Sequence, residues 1–465
     1  MKNILLIFPG DRFKEFSSLR PPLGLTYIGA VLEEEGYNVK IIDFGVEKED
    51  VNILNNDYLK SFDLVGISVL SSLYNNSKEI IKQIRSVNKD IPIIMGGTHP
   101  TAMPREVLEE NDINIVVMGE GEETIKEIVK NYPRNLKKIK GIVYKNKGKI
   151  IENERRPLIP DINILPFPAR HLLKIEKYQN YIHGRKATTI MSSRGCPYNC
   201  VYCFKLDGRA WRPRKAELVV DELEKIVKDY NISAFYFHDD LFTADRKRVI
   251  DICNEIIKRN LDIFWICESR INTIDEELLN MMKKAGCKQI HFGIESGDEE
   301  TLKKIRKGIT KEQAKKALSL TKKAKIYTKA YFMIGFPRDT RESLVNSLNF
   351  MLDIEADEIL LNVVTPFPGT ELWDLAIKDG IINPKNIPWD KFYGATPDVT
   401  EQFFFTNNLT REELIKIKKF MYRKIIINRL FKKLYAGEFK YIYNLIKEKK
   451  DVGLFKFLKS VFWER

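Results

Sequence analysis

The chain has 465 residues, 44% of them hydrophobic, and a formal net charge of +13. That length exceeds one ordinary core and predicts two or more domains, and the apolar content excludes a largely disordered chain. Six cysteines in so long a chain make no disulfide framework, and no apolar run approaches the ~18 residues of a membrane-spanning helix.

The first elements predict an α/β unit. Residues 4–8 read as a β-strand; the apolar run is short and lacks a small-residue cleavage site, so it is not a signal peptide. Leu25, Ile28 and Leu32 make one apolar helical face that stops at Gly36. Strands follow at 39–43, 64–69, 91–96 and 113–118, with a helix over 78–87. This pattern predicts a doubly wound, Rossmann-like sheet whose ligand lies at the carboxyl ends of the strands. Three strings stand at such ends: Pro22-Leu23-Gly24, Gly96-Gly97-Thr98-His99 and Gly119-Glu120-Gly121. Glycine there permits close backbone approach to a large ligand, although any Rossmann-like domain carries some.

Residues 141–151 read as a hairpin turning at Asn146-Lys147-Gly148. Pro157, Pro160, Pro166 and Pro168 then predict an extended connector. The expected domains are 1–135, a connector over 136–183, 184–400 and a basic helical extension over 401–465.

A strand over 188–192 leads into Cys196, Cys200 and Cys203, a C-x₃-C-x₂-C array. Three thiolates suit a soft metal or an Fe–S cluster. A cubane cluster wants four ligands, so three cysteines leave one iron open for chemistry. The plainer alternatives are a structural zinc knuckle or core thiols, but zinc arrays usually come as two paired halves. An array of this kind needs a reducing compartment, which makes the cytoplasm the default location. Cys253, Cys267 and Cys287 show no ligand spacing and read as buried small hydrophobes, with Cys267 a weaker candidate for a hydrogen donor facing the cavity.

Five further βα repeats follow, with strands at 234–238, 264–267, 289–294, 328–334 and 358–364. The helices between them fall near 245–259, 275–284, 311–323 and 340–354, and an earlier one over 217–229 follows the array. Serial βα units predict a parallel sheet with crossover helices, and chemistry at the strand ends. Asp239 and Asp240 stand at one such end, as proton-transfer groups or as helix caps. Arg270 stands at another, as a carboxylate clamp or a plain ion pair.

The eight-residue array, with Tyr202 before its last cysteine and Phe204 after it, resembles the signature of the radical S-adenosylmethionine (SAM) superfamily. The resemblance implies an open (β/α)₆ partial barrel and a [4Fe–4S] cluster on Cys196, Cys200 and Cys203. It implies SAM on the open iron and one-electron cleavage to a 5′-deoxyadenosyl radical. SAM contacts are expected at Tyr202, Phe204, Arg270, Gly293, Glu295, Ser296 and Gly335. The order of parts, glycine-rich Rossmann unit first, resembles the cobalamin-binding branch of that superfamily over about residues 1–400. Cobalamin is then expected at Pro22, Leu23, Gly24, Ser68, Gly96, Gly97, Thr98, Gly119, Glu120 and Gly121. Many cobalamin proteins place a cobalt-ligating histidine in D-x-H-x-x-G; the string Gly10-Asp11-Arg12-Phe13-Lys14-Glu15 has none. His99 is near but wrongly spaced, so cobalamin is expected without a protein histidine on cobalt.

From Lys416 to Arg465 the chain carries 15 Lys plus Arg against 4 Asp plus Glu, interleaved with aromatics. Such a tail suits an anionic membrane surface or, less well, nucleic acid; a helical cap with a solvated lysine face is preferred. The expected function is an anaerobic cytoplasmic enzyme that moves a methyl group from methylcobalamin to an unactivated carbon or phosphorus. Its expected partners are a small-molecule or lipid-like substrate and an electron donor such as flavodoxin or ferredoxin. The alternatives are radical cyclisation, oxidation or rearrangement without methyl transfer, an RNA-modifying radical enzyme, and a cobalamin-binding regulatory protein.

Overall fold

The computed structural model describes residues 2–10, 20–47, 51–204, 208–384, 386–392, 406 and 408–435. Residues 11–15 of the D-x-H-x-x-G comparison and the tail beyond 435 lie outside them.

The first sheet runs in the order β2-β1-β3-β4-β5-β6-β7. Its strands are β1 (Asn3–Phe8), β2 (Asn38–Asp43), β3 (Leu64–Ser68), β4 (Ile93–Gly96), β5 (Ile115–Val117), β6 (Ile142–Asn146) and β7 (Lys149–Glu152). β1 to β5 are parallel. Ile4, Leu5, Leu6 and Ile7 are all buried, the near-continuous apolar run of a strand covered on both faces. The order reverses between β2-β1 and β3-β4-β5, so the crevice for a ligand opens at β1 and β3.

The hairpin expected between the units belongs instead to this sheet, since β6 pairs antiparallel with β5. Its turn has Lys147 at φ 48° and Gly148 at φ 77°, the two positive values that a two-residue turn requires. The proline-rich connector is a packed stitch rather than a free strap. Ala169 N donates to Thr26 O at 3.0 Å, Tyr178 Oη to Asp43 Oδ2 at 2.6 Å, and Arg170 to Glu222 at 2.9 Å. It therefore fastens the first sheet to the barrel.

The second sheet contains β8 (Tyr181–Ile182), β9 (Arg185–Ile190), β12 (Ala234–Phe237), β13 (Phe264–Ser269), β14 (Cys287–Glu295), β15 (Tyr327–Ile334) and β16 (Glu358–Val363). A short separate ribbon joins β10 (Ser193–Arg194) to β11 (Arg212–Pro213). In the second sheet six strands are parallel and in chain order, with β8 antiparallel at one edge. That is the open six-stranded partial barrel. Its helices begin where capping chemistry puts them: Asp245, Asp275, Asp298, Thr310 and Thr340 each accept from a backbone N–H of the first turn. Strand 188–192 of the sequence reading starts earlier, at Arg185, and ends at Ile190, where Ser192 turns to meet Asp239.

Candidate functional site

The cysteine loop follows the ribbon strand Ser193–Arg194 and lies over the carboxyl end of the barrel. Cys200 is buried, Cys196 half-buried and Cys203 exposed. The Cys203 thiol donates a hydrogen bond to the Cys200 sulfur and pulls its pKa down; burial opposes this, and the Lys307 and Arg270 charges add to it. Among the described residues no three His, Cys, Asp or Glu side chains stand close enough to hold a single ion. A cubane binds each cysteine on a separate iron, so its ligands stand wider apart than those of one ion. The donor set, three thiols under two cations, fits an anionic thiolate-bound cluster.

β14 carries the next part. The ladder to β15 shifts between Gly293 and Glu295, and Glu295 takes φ 74°. Such a bulge re-aims a side chain beside an active site. The re-aimed Glu295 accepts from Lys307 Nζ at 2.9 Å, and Lys307 also reaches Tyr202 Oη at 3.3 Å. Gly293 leaves space for that pair: a Cβ there would stand 2.5 Å from Glu295 Oε1 and 2.8 Å from Lys307 Nζ and would displace them. Ser296 Oγ meets Ser347 Oγ at 2.9 Å. Gly335, at φ 87°, and Phe336 donate backbone N–H to Asp339 Oδ2 at 2.8 and 3.0 Å.

Four expectations change. Asp239 is neither helix cap nor exposed acid; it accepts from Ser192 N at 2.7 Å and Ser193 Oγ at 2.7 Å and so fixes the approach to the cysteine loop. Asp245 caps the following helix, and Asp240 is exposed. Arg270 is not an open clamp. Its guanidinium stacks 3.6 Å from the Tyr198 ring centroid, lies 3.9 Å from Cys200 Sγ and donates to Lys307 O. Cys267 alternates with Glu268 along β13 and is buried beside Trp265 and Ser269 on the helix-covered face, away from the lumen.

At the first sheet the glycine strings do gather at strand ends. Gly97, at φ 101°, leaves no room for a Cβ, which would stand 2.8 Å from Val69 N and O and 3.2 Å from Ser68 Oγ. Thr98 opens a short helix, Thr98–Ala102. Gly96 ends β4 opposite Ser68. Gly24 and Gly119 face open space, while Pro22 and Leu23 begin the helix Leu23–Glu34. An open cradle of backbone suits a flat corrinoid.

His99 is sealed. It is buried, its Nδ1 lies 3.1 Å from Ser71 Oγ, and the rings of Tyr74 and Trp389 cover it at 4.2 and 4.5 Å. Burial pushes its pKa down to about 3.

Glu120 departs from its expected part. Burial opposes its charge, but bonds from Arg212 and Arg194 hold its carboxyl below the usual range. Arg194 donates to Glu120 at 2.8 Å and Glu122 at 2.5 Å; Arg212 donates to both Glu120 oxygens at 2.9 Å. All four side chains are buried. The loop after β5 is thus clamped to the residue two places before Cys196.

The two rims share one cavity of about 550 Å³. Thr101 and Gly119 line it from the first sheet, and Asn199, Cys200, Cys203 and Phe204 from the cysteine loop. Phe204 packs against Gly369, which also touches Ala102: a Cβ on Gly369 would stand 2.5 Å from the Phe204 ring and 3.4 Å from Ala102.

Sequence reasoning missed the roles of Lys307, Arg194, Arg212 and Glu122. Lys307 hides in a lysine-rich chain, although Arg306-Lys307-Gly308, with φ 55° and 65° flanking it, marks a forced turn.

A B12 binding domain model matches residues 14–129 and a Radical SAM superfamily model matches residues 190–351. An uncharacterized methyltransferase of Pyrococcus horikoshii is 36% identical over 442 residues, covering 93% of this chain and 95% of that one. The anaerobic magnesium-protoporphyrin IX monomethyl ester cyclase of Rubrivivax gelatinosus is 29% identical over 429 residues, covering 88% and 74%. The fold matches the radical SAM methyltransferase TsrM from Kitasatospora setae, solved with cobalamin and a [4Fe–4S] cluster, at TM-score 0.69 and 21% identity, covering 80% of this chain and 77% of that one. With a B12-binding domain clamped over a three-cysteine Radical SAM barrel, and with the Pyrococcus horikoshii relative matching it along almost its whole length, this chain belongs to the B12-binding-domain radical SAM enzyme family.

Proposed function

We propose that the protein transfers a methyl group to an unactivated carbon or phosphorus of a small molecule. The shared cavity carries this reading, because Gly119 and Thr101 face Cys200 and Cys203 across it. When bound, the cluster and SAM supply a carbon radical, and cobalamin supplies a transferable methyl group. Cys196, Cys200 and Cys203 would hold the cluster, with Lys307 and Arg270 offsetting its negative charge. Glu295, Ser296, Gly293, Tyr202, Phe204 and Gly335 form the SAM side; Gly24, Gly96, Gly97, Thr98, Gly119 and Gly121 form the corrinoid side. Glu120 belongs to the clamp rather than to the corrinoid contacts. His99, sealed and neutral, supports a corrinoid without a protein ligand on cobalt.

Reduction of the cluster calls for a donor of the flavodoxin or ferredoxin type. The helix Arg411–Tyr435 exposes Phe420, Tyr422 and Phe431 by 53%, 49% and 51% among its lysines, which suits an anionic lipid surface. Sedimentation with phosphatidylserine vesicles tests that contact, and equal recovery in the supernatant with and without vesicles rejects it. No helix among the described residues is long and apolar enough to cross a membrane.

The main reading is tested by anaerobic reconstitution with iron, sulfide and cobalamin, then reduction in the presence of SAM. Formation of both 5′-deoxyadenosine and S-adenosylhomocysteine is expected. Deoxyadenosine alone favours the cyclase-like chemistry named for the Rubrivivax relative. Neither product, with cobalamin retained, leaves a carrier.

A further inference from the structure

The outer wall of the barrel carries an apolar groove that the cofactor reading leaves unused. It lies between the helix Arg341–Asp353 and the helix Arg411–Tyr435 and has a volume of about 330 Å³. Leu344, Val345 and Leu348 line one side, and Ile417, Phe420 and Met421 the other. Both sets repeat at helical spacing, so each helix turns one face to the groove. Leu344, Leu348 and Met421 are buried and make the floor. Val345, 54% exposed, and Phe420, 53% exposed, make the lips. None of the six side chains carries an N–H or O–H, so polar atoms of an occupant would go unmet there.

The charge around this slot is one-sided. Among the described residues Glu413 is the one acid that lines it, and it already accepts from Thr410 N at 2.8 Å and from Arg341 at 2.6 Å. Lys416 is exposed one turn before Phe420. Lys424 stands one turn after it, its Nζ 5.6 Å from the Phe420 ring centroid. Two ammonium groups thus flank an aromatic lip. Phe431, 51% exposed, follows Phe420 by three turns on the same face. The whole helix carries nine Lys plus Arg against two Asp plus Glu.

These charges decide between occupants. A second copy of the chain would set the basic helix against its own image. Residues 436–465 of the chain carry seven Lys plus Arg against four Asp plus Glu, so they too are basic. An anionic amphiphile meets both demands, with an apolar tail for the slot and an anion for the lysines. We propose that the groove seats one acyl chain of an anionic phospholipid, its phosphate held by Lys416 and Lys424. Phe420 and Phe431 enter the same lipid layer. This seat rests on the lipid-surface reading of the same helix and adds to it a defined site for one chain. It fixes how the enzyme is oriented on a membrane, where adsorption through lysines alone leaves it free to turn.

The test uses the full chain in two arms. In the first, the protein is titrated by calorimetry with dodecyl phosphate below its micelle concentration. One saturable site is expected. Decyl phosphate, two methylenes shorter, is expected to bind about tenfold more weakly. Dodecyltrimethylammonium, with the same chain and the opposite charge, is expected to lose about tenfold as well. Val345→Asp sets a carboxylate on an exposed lip, where the fold tolerates it, and is expected to weaken dodecyl phosphate about tenfold. Lys416→Glu is expected to reverse the preference between the two head groups. No saturable site, or wild-type affinity in Val345→Asp, overturns the proposal and leaves the groove to the chain's own tail or to a protein partner. Equal affinity for the two head groups overturns it too. Dimers in equilibrium sedimentation that Val345→Asp dissociates identify a second copy as the occupant instead.

In the second arm, Val345→Trp is mixed with phosphatidylserine vesicles whose acyl chains are brominated. The chain has five native tryptophans, so wild type gives the baseline. Loss of the emission that the substitution adds is expected, and its persistence in sedimented protein overturns the groove. If wild type does not sediment with the vesicles at all, the lipid-surface reading fails instead, and the titration alone decides the groove.

Discussion

The carboxyl rims of the two sheets face a common cavity with opposite chemistry. The rim of the first sheet is backbone and glycine: Gly97 admits no Cβ, Gly119 opens onto space, and its one histidine is sealed behind Tyr74 and Trp389. The rim of the barrel is charge. Lys307 pairs with Glu295, Arg270 overlies Cys200, and the lumen beneath carries Glu268 and His291. A rim that receives a large preformed ring has to offer room and backbone. A rim that delivers an electron and orients a sulfonium needs fixed charges around a dry site. The clamp of Glu120 and Glu122 on Arg194 and Arg212 joins the two.

The largest effect tests the division itself. Cys200→Ala is expected to abolish iron and sulfide uptake on reconstitution and all 5′-deoxyadenosine formation, while the bound cobalamin spectrum persists. Loss of both cofactors together would break the division between rims. Next comes the clamp. Removing one partner of a buried charged pair costs about 3–5 kcal/mol, so Glu120→Ala is expected to lower the melting temperature and to separate the unfolding of the first sheet from that of the barrel in scanning calorimetry. A single unshifted transition would show that the connector, not the clamp, holds the rims in place. Gly293→Ala is smaller and local. Its Cβ displaces the Glu295–Lys307 pair, and SAM affinity by equilibrium dialysis is expected to fall about tenfold, with cluster content kept.

These contrasts were unequally legible in the sequence. Both sheets followed from apolar periodicity and turn residues, and the helix over 311–323 fell on its observed bounds, because Thr310 and Gln313 form a capping box. Local chemistry of this kind is written in neighbouring residues. The cysteine array was legible for the same reason. The hairpin was found, but its attachment to β5 was not, since pairing across an edge depends on distant residues. Glu120 misled because a glycine–acid string at a strand end reads alike whether the acid faces a ligand or another domain. Its partners, Arg194 and Arg212, are 74 and 92 residues away. The polar layer in the barrel lumen was invisible for a stronger reason: Tyr236, Glu268, His291 and Tyr331 share no motif, and only the stagger of four strands brings them level.

The smallest expected effect concerns the support of the barrel rim. Asp339 is buried and accepts from Gly335 N and Phe336 N, yet burial raises its pKa from 3.8 to about 6 despite those bonds. The sign follows from linkage. At pH below the ordinary aspartate value both folded and unfolded chains carry the proton, and the residue's contribution is fully present. As pH rises through about 6 the folded chain must hold a buried charge that the unfolded chain holds in water, and that stability is lost. Asp339→Asn keeps an oxygen for both N–H groups and removes the charge. The variant is therefore expected to melt roughly one to three degrees above wild type at pH 7.5, a gain that shrinks to nothing near pH 4. A pH-independent difference would mean that the two hydrogen bonds alone set the Gly335 turn. A lower melting point at pH 7.5 would mean that the negative charge, like those of Glu295 and Glu268, is part of what the barrel rim is built around.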